Sequence, residues 1–377
     1  MNNIDSQGVN TIDADPNFNF LSNFTAEADD ESIHSNCTLN MSPYNELNIE
    51  CSYVDVEQLP NHVKKDDFSV VSLNIQSLPA KFNELLDWTA NMEKIGCSPD
   101  IICLQEVWQI NDPSLFNITG YQPLISKSRT NFRGGGVGIY IKENITFHLI
   151  DALSIFHERV LETILVEITL QGGKKIVIGS IYRPGTLPPG TTFTHQFNEF
   201  NDLYSNLLAE LCDKYESVYL YGDLNLDILR HSESKFVTEY LETLISNGFI
   251  QLVLKPTRIT NNSATRIDHI STNACTDKFR TYILCNSISD HFPILHVSTL
   301  KKSKIQAPPI AVRNYSDVNL ASFRTALLDY SWQHVLDIDD AQSAFDTFSE
   351  TFQQIFDLYF PLKTKNPILN TIKLNLG

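Results

Sequence analysis

Between Phe68 and about Ser298 the chain alternates short apolar runs with polar breaks. FSVVSLNIQSL, PDIICLQEVW, GGGVGIYIKE, HERVLETILVEITL, KKIVIGSIYRP, SVYLYGDLN and SDHFPILHVST are rich in Val, Ile and Leu and bounded by turn formers, a pattern that predicts sheet strands. Longer stretches carry a helical period instead. KFNELLDWTANMEKI places Phe82, Leu85, Leu86, Trp88 or Thr89, Met92 and Ile95 on one stripe. FNEFNDLYSNLLAELCDKY does the same with Phe197, Phe200, Leu203, Tyr204, Leu207, Leu208 and Leu211, and FVTEYLETLISNGF predicts a further helix. TRITNNSATRIDHIST reads as a loop. Strands with helices between them predict an α/β sandwich of two sheets flanked by helices, and residues 66–298 are long enough to form it as one domain.

The flanks have a different texture. Residues 1–65 are rich in Asn, Asp, Ser and Glu without a sustained period, and are expected to be mostly disordered, with Glu27–Ser32 a solvated acidic patch. Residues 299–377 open on a basic, Pro-containing linker, KKSKIQAPPIAV, followed by two amphipathic helices. In the second, Phe345, Phe348, Phe352, Ile355, Phe356 and Tyr359 share a face that needs a partner.

Composition narrows the class. The net charge of −17 divides into −9 over residues 1–65, −8 over 66–298 and zero over 299–377. That balance argues against a passive nucleic-acid coat, which needs Lys and Arg to neutralise phosphates, but it suits a carboxylate site that meets phosphate through a cation. No run approaches the length of a membrane span, and the polar N-terminus lacks a secretory pattern, so the seven cysteines are expected in a reducing compartment. They contain no CxxC and suggest neither a disulfide framework nor a zinc site. The run Gly134-Gly135-Gly136 lacks a following Gly-Lys-Ser/Thr, so it is no phosphate-cradling P-loop and reads as the start of a strand.

Polar residues recur where the apolar strands stop. Asn74 follows Val70–Leu73, and Glu106 follows Ile101–Gln105. Tyr182 and Arg183 follow Ile176–Ile181. Asp223 and Asn225 follow Val218–Tyr221 and, two residues apart on a strand, point the same way. Asp268 and His269 follow Arg266-Ile267, and Asp290 and His291 precede Phe292–Leu295. Any one of these reads as a turn or a solvated end; six together mark a rigid, solvent-reachable site. Oxygen ligands with sparse His favour a hard cation, Mg²⁺ or Mn²⁺, and His beside carboxylates can act as base or steady a phosphate. The sum is metal-assisted attack of water on a phosphodiester.

In this order, SLNIQSL, PDIICLQEVW, GSIYRPG, YGDLNLD, RIDHI and SDHFPI resemble the endonuclease/exonuclease/phosphatase superfamily. NFRGGGVGIYIKENI and the IYRPG loop bring the chain closest to the apurinic-type endonuclease domain of non-LTR (LINE-type) retrotransposons. The resemblance implies a four-layered α/β sandwich over about residues 66–298 and a Mg²⁺-dependent enzyme that nicks target DNA. It implies Glu106 as principal metal ligand with Asn74 and Asp290 near the metal, and Asp223 positioning or deprotonating water. Asn225 and Tyr182 would contact the phosphate, His291 would contact it or act as base with Asp268 orienting the ring, and Arg183 would help hold DNA. His269, on the opposite face of its strand from Asp268, reads equally as structural. Gln76 departs from the family's Asn or Asp two residues beyond Asn74. The tail resembles the linker toward a polymerase, so a reverse transcriptase module is the expected downstream partner and the chain is expected to be a truncated or split reading frame. A DNA substrate implies nuclear residence, to which KKSK at Lys301–Lys304 adds little. Abasic-site repair, another phosphoester substrate, or a silent remnant are the alternative readings.

Overall fold

The computed structural model describes residues 48–64, 66–130, 133–187, 190–274, 278–285, 288–302, 310–313 and 315–365. The acidic patch at 27–32 and most of the linker lie outside them. The chain divides into two compact units, Met1–Ser303 and Lys304–Gly377.

The first unit begins with β1 (Ile49–Val54), β2 (Asp67–Asn74), α1 (Leu78–Lys94), β3 (Ile101–Gln105), β4 (Ile125–Lys127) and β5 (Val137–Ile141). It continues with β6 (Thr146–Leu149), β7 (Phe156–His157), β8 (Leu161–Thr169), β9 (Lys175–Tyr182), α2 (Phe193–Lys214), β10 (Val218–Asp223) and α3 (Lys235–Ser246). The remaining strands are β11 (Ile250–Gln251), β12 (Arg258–Thr260), β13 (Ser263–Thr265), β14 (Asp268–Thr272), β15 (Phe279–Leu284) and β16 (Ile294–Lys301). One sheet has the order β1-β15-β16-β2-β3-β5-β4 and the other β11-β14-β10-β9-β8-β6, while β12 and β13 form a separate hairpin.

Alternation along the strands builds the layers. Val70, Ile101, Cys103 and Ile139 face Ile164, Val166, Ile178, Tyr221 and Ile270 between the two sheets. Their neighbours turn outward: Val71, Leu73, Ile102 and Leu104 pack on Leu78, Leu85, Trp88 and Met92 of α1. Leu165, Val177 and Leu220 pack on Phe200, Leu208, Leu211, Tyr240 and Leu244 of α2 and α3. The result is helix, sheet, sheet, helix: the four-layered α/β sandwich that the resemblance implies.

The expected disorder before residue 65 is corrected over its last part. β1 pairs in parallel with β15 from Ile49↔Phe279 to Val54↔Leu284, and Val54, Val56 and Leu59 are buried. The sheet edge supplies a partner that no local period in IECSYV announces.

The second unit contains β17 (Ile310–Val312), α4 (Asp317–Asp329), α5 (Gln333–Leu336), α6 (Ala341–Tyr359) and β18 (Lys363–Lys365), with β17 antiparallel to β18. Phe323 of α4 meets Phe352 and Phe356 of the aromatic α6 face at 5.7 Å each, between ring centroids, whereas Phe345 and Phe348 are exposed.

Candidate active site

At one end of the sandwich the inner faces change from apolar to polar. Asp223 lies opposite Tyr182 in the parallel β9–β10 register and opposite Asp268 in the antiparallel β10–β14 register. The three side chains therefore form a row across neighbouring strands. On the facing sheet Asn74 and Gln105 are register partners at the ends of β2 and β3, and Asp290 and His291 come just before β16. Beneath this rim Gln105 donates to Ser180 Oγ at 3.1 Å, a buried polar tie between the sheets.

The rim is a connected network. Asn74 Nδ2 donates to Glu106 Oε1 at 3.0 Å and to Asp223 Oδ2 at 2.8 Å. Its Oδ1 accepts from the Gln76 backbone N at 3.2 Å, which fixes the amide orientation. Asn74 therefore bridges two carboxylates with its nitrogen, one of them Glu106, which the resemblance implies as principal metal ligand. Glu106 also accepts from the Tyr182 hydroxyl at 3.0 Å and from Trp108 Nε1 at 3.2 Å. Asp223 accepts from the Asn225 backbone N at 2.8 Å, and Asn225 Nδ2 donates to the Arg183 carbonyl at 2.9 Å. The donors of Tyr182 and Asn225 are thus used within the protein, around Glu106 and Asp223. Gln76, Glu106 and Asn225 all have positive φ (51°, 53° and 50°), which turns the chain sharply as each strand ends.

On the other side His291 Nδ1 donates to Asp268 at 2.9 and 3.0 Å, and Asp268 also accepts from Thr257 Oγ1 at 2.6 Å. Burial works against the imidazolium, but the Asp268 charge and hydrogen bond outweigh it and raise His291 to about 9. His291 is therefore cationic at neutral pH, which favours its phosphate contact over its role as base. Burial, then the nearby Asp268 charge, pushes Asp223 up to about 7. A carboxylate that titrates near neutrality is suited to take a proton from water. His291 Nε2 lies 3.9 Å from Asp290 Oδ1.

The structure brings Asn74, Glu106, Tyr182, Asp223, Asn225, Asp268, Asp290 and His291 together at this end of the sandwich. Arg183 is the correction. Its side chain is fully buried, donates to the Leu224 carbonyl at 3.2 Å, and sits over the rings of Phe193 and Phe200 at 5.3 and 5.2 Å. It braces the loop behind Asp223 and has no surface from which to hold DNA. His269 is structural: it is buried between the Tyr240 hydroxyl at 2.9 Å and the Leu226 carbonyl at 3.0 Å, and burial lowers it to about 4. The longer amide of Gln76 does reach the site, donating to Asp290. Thr257 and Arg258 join the site as well, without having been expected there from the sequence. Arg258 Nε donates to Asp290 Oδ2 at 2.7 Å, from a hairpin whose Asn261-Asn262 turn between short polar-apolar strands was its available signal.

The donor set fits a hard divalent cation. It offers carboxylates and no thiolate, and Asp223, Asp268 and His291 bring ligand atoms within 4.8 Å of one another. Burying the Asp223 and Asp268 carboxylates there is costly in their charged forms, and a cation would offset that cost.

This fold and site place the chain in a known class. It belongs to the Endonuclease/Exonuclease/phosphatase family, which it matches over residues 71–291. Members are hydrolases of phosphodiester bonds and generally use divalent metals. Among solved structures, the AP endonuclease LMAP from Leishmania major is 13% identical with a TM-score of 0.52, covering 64% of this chain and 90% of that one. The APE2 catalytic domain of Xenopus laevis is 16% identical with a TM-score of 0.49, covering 64% and 94%. The endonuclease domain of TRAS1, a telomere-specific non-LTR retrotransposon, is 16% identical with a TM-score of 0.44, covering 63% and 100%. At 13% identity the likeness to LMAP shows the fold alone. No curated protein matches the chain.

Proposed function

We propose that the first unit is a Mg²⁺- or Mn²⁺-dependent DNA endonuclease that nicks target DNA for insertion of a non-LTR retrotransposon. The carrying observation is the meeting, at one sandwich end, of the Glu106–Asn74–Asp223 bridge with the Asp268–His291 pair. Bound at Glu106 and Asp290, the cation would stabilise charge developing on the phosphate. Asp223 takes the proton of the attacking water, its raised pKa matching the task. His291, held cationic by Asp268, donates from Nε2 to a phosphate oxygen. Tyr182 and Trp108 fix the Glu106 carboxylate so that it needs no reorganisation. The retrotransposon assignment rests on the NFRGGGVGIYIKENI and IYRPG stretches, and carries with it a reverse transcriptase as downstream partner and a nuclear site of action.

The test compares two DNA substrates at equal Mg²⁺: an intact duplex and the same duplex with one abasic site. Cleavage of the intact duplex at a rate comparable to the abasic one supports the reading. Cleavage confined to the abasic position replaces it with repair.

A further inference from the structure

With Arg183 buried, any guanidinium that joins His291 at the substrate phosphate has to come from another position. Arg258 is delivered to the site by a rigid anchor. Thr257, fully buried, is fixed on three sides: Oγ1 donates to Asp268 at 2.6 Å, N donates to the Thr265 carbonyl at 2.9 Å, and its carbonyl accepts from Phe292 N at 2.9 Å. Arg258 follows directly as the first residue of β12. Its side chain projects over Asp290, with Nε at 2.7 Å from Oδ2 and an Nη atom also in contact. Gln76 covers the other oxygen, Oδ1.

Stability does not account for this pair. The Arg258 and Asp290 side chains are 41% and 36% exposed, and ion pairs so exposed contribute little to folding. Their position does account for it, since Asp290 adjoins His291 in the chain and in space. Resting on the reading above, we propose that Arg258 and a divalent cation compete for Asp290, and that the displaced guanidinium becomes the group that grips the substrate phosphate. Two cations at one carboxylate repel, so binding of one releases the other. A released guanidinium has a planar fork of donors that matches phosphate. Cation binding is thereby coupled to DNA binding through this one side chain.

The test uses the full chain in an Asp223→Asn background, which removes the general base and slows turnover but keeps the His291 phosphate contact, with Arg258 intact, Arg258→Ala or Arg258→Lys. Mn²⁺ binding is followed by electron paramagnetic resonance without DNA, and binding of a fluorescein-labelled duplex by anisotropy, with and without Mn²⁺ at fixed ionic strength. Arg258→Ala is expected to bind Mn²⁺ up to about fivefold more tightly, because the competitor is gone. It should bind DNA about tenfold more weakly with Mn²⁺ present and nearly unchanged without it, with Arg258→Lys recovering only part. Unchanged or weaker Mn²⁺ binding in Arg258→Ala overturns the competition. An equal loss of DNA affinity with and without Mn²⁺ overturns the handover and makes Arg258 a fixed contact. If the Arg258-intact protein binds no DNA in either condition, the endonuclease reading fails and the handover with it. That result is distinct from a Mn²⁺-dependent DNA affinity that the Arg258 variants leave unaltered, which sinks the inference alone.

Discussion

Asp268→Asn separates the charge of the Asp268–His291 pair from its shape. The amide keeps the size of the carboxylate and can still accept from His291 Nδ1, but it removes the charge that outweighs burial. His291 then loses its main support for the imidazolium, and burial drives it from about 9 to its ordinary 6.5 or below. At pH 7.5 a group titrating at 9 is almost wholly charged, whereas one at 6.5 is charged about one part in ten. If the charged ring grips the phosphate, the rate at pH 7.5 falls at least ~10-fold, and acidification does not restore it because Asp223, titrating near 7, gains its proton there. The alkaline limb of the pH–rate profile moves from near 9 to 6.5 or lower. Two measurements check this: the histidine proton resonances followed by NMR through a pH titration, and the rate profile of a cleaved duplex. A His291 titration unmoved by the substitution, or an alkaline limb that stays near 9, would refute the reasoning.

Deleting residues 1–60 removes β1 and the buried Val54, Val56 and Leu59, each contributing about 1.5–3 kcal/mol. The sum approaches the whole stability of an ordinary domain, so melting temperature should fall by ~10 °C or more; an unchanged transition would show that β1 is dispensable. Arg183→Ala should cost about 3–5 kcal/mol in a denaturant melt, because it empties a fully buried position. DNA affinity of the folded fraction should be unaltered; a selective loss of affinity would return Arg183 to the substrate. Stability should also fall as pH rises from 7 to 9. His291 holds a proton in the folded state up to about 9 that the unfolded chain releases near 6.5, so its stabilisation is full below 6.5 and lost through 9. His269 and His296, lowered by burial to about 4 and about 3, are neutral in the folded state and mostly neutral in the unfolded one, so they oppose the trend only weakly. Asp223, raised to about 7, reinforces it at the lower end. Urea midpoints that stay flat or rise from pH 7 to 9 would contradict the His291 assignment.

The sandwich was legible because its strands are buried apolar runs whose alternate residues serve two different cores, as Val70 and Val71 do. The site was legible for the same reason: a polar side chain on the inner face at the end of such a run has only the sandwich rim to occupy. Strands that take their definition from a neighbour were not. IECSYV forms β1 by pairing with β15, and FRTYIL forms β15 between β1 and β16; both lack the local signal of β10. Arg183 misled because Tyr-Arg-Pro looks like a loop opening, and nothing nearby in sequence shows that Phe193 and Phe200 of α2 close over the guanidinium. Arg258 was invisible because TRITNNSATRIDHIST is dense in loop formers without a sustained period and its partner Asp290 lies 32 residues further on. The identity of the donors could be read; their orientation could not. Asn74 turning its nitrogen to both carboxylates follows from its oxygen meeting Gln76 N, a contact set by the positive φ of Gln76.

The central claim is that this end of the sandwich hydrolyses a DNA phosphodiester with Asp223 at its centre. The most direct measurement is conversion of supercoiled plasmid to open circles by the wild-type chain and by Asp223→Asn, each with Mg²⁺ and then with EDTA. The account predicts Mg²⁺-dependent nicking by the wild type that EDTA abolishes, and a loss of ~100-fold or more in Asp223→Asn, within the range for removing a general base. Absence of nicking by a folded wild type, or equal nicking by the folded Asp223→Asn protein, would contradict it.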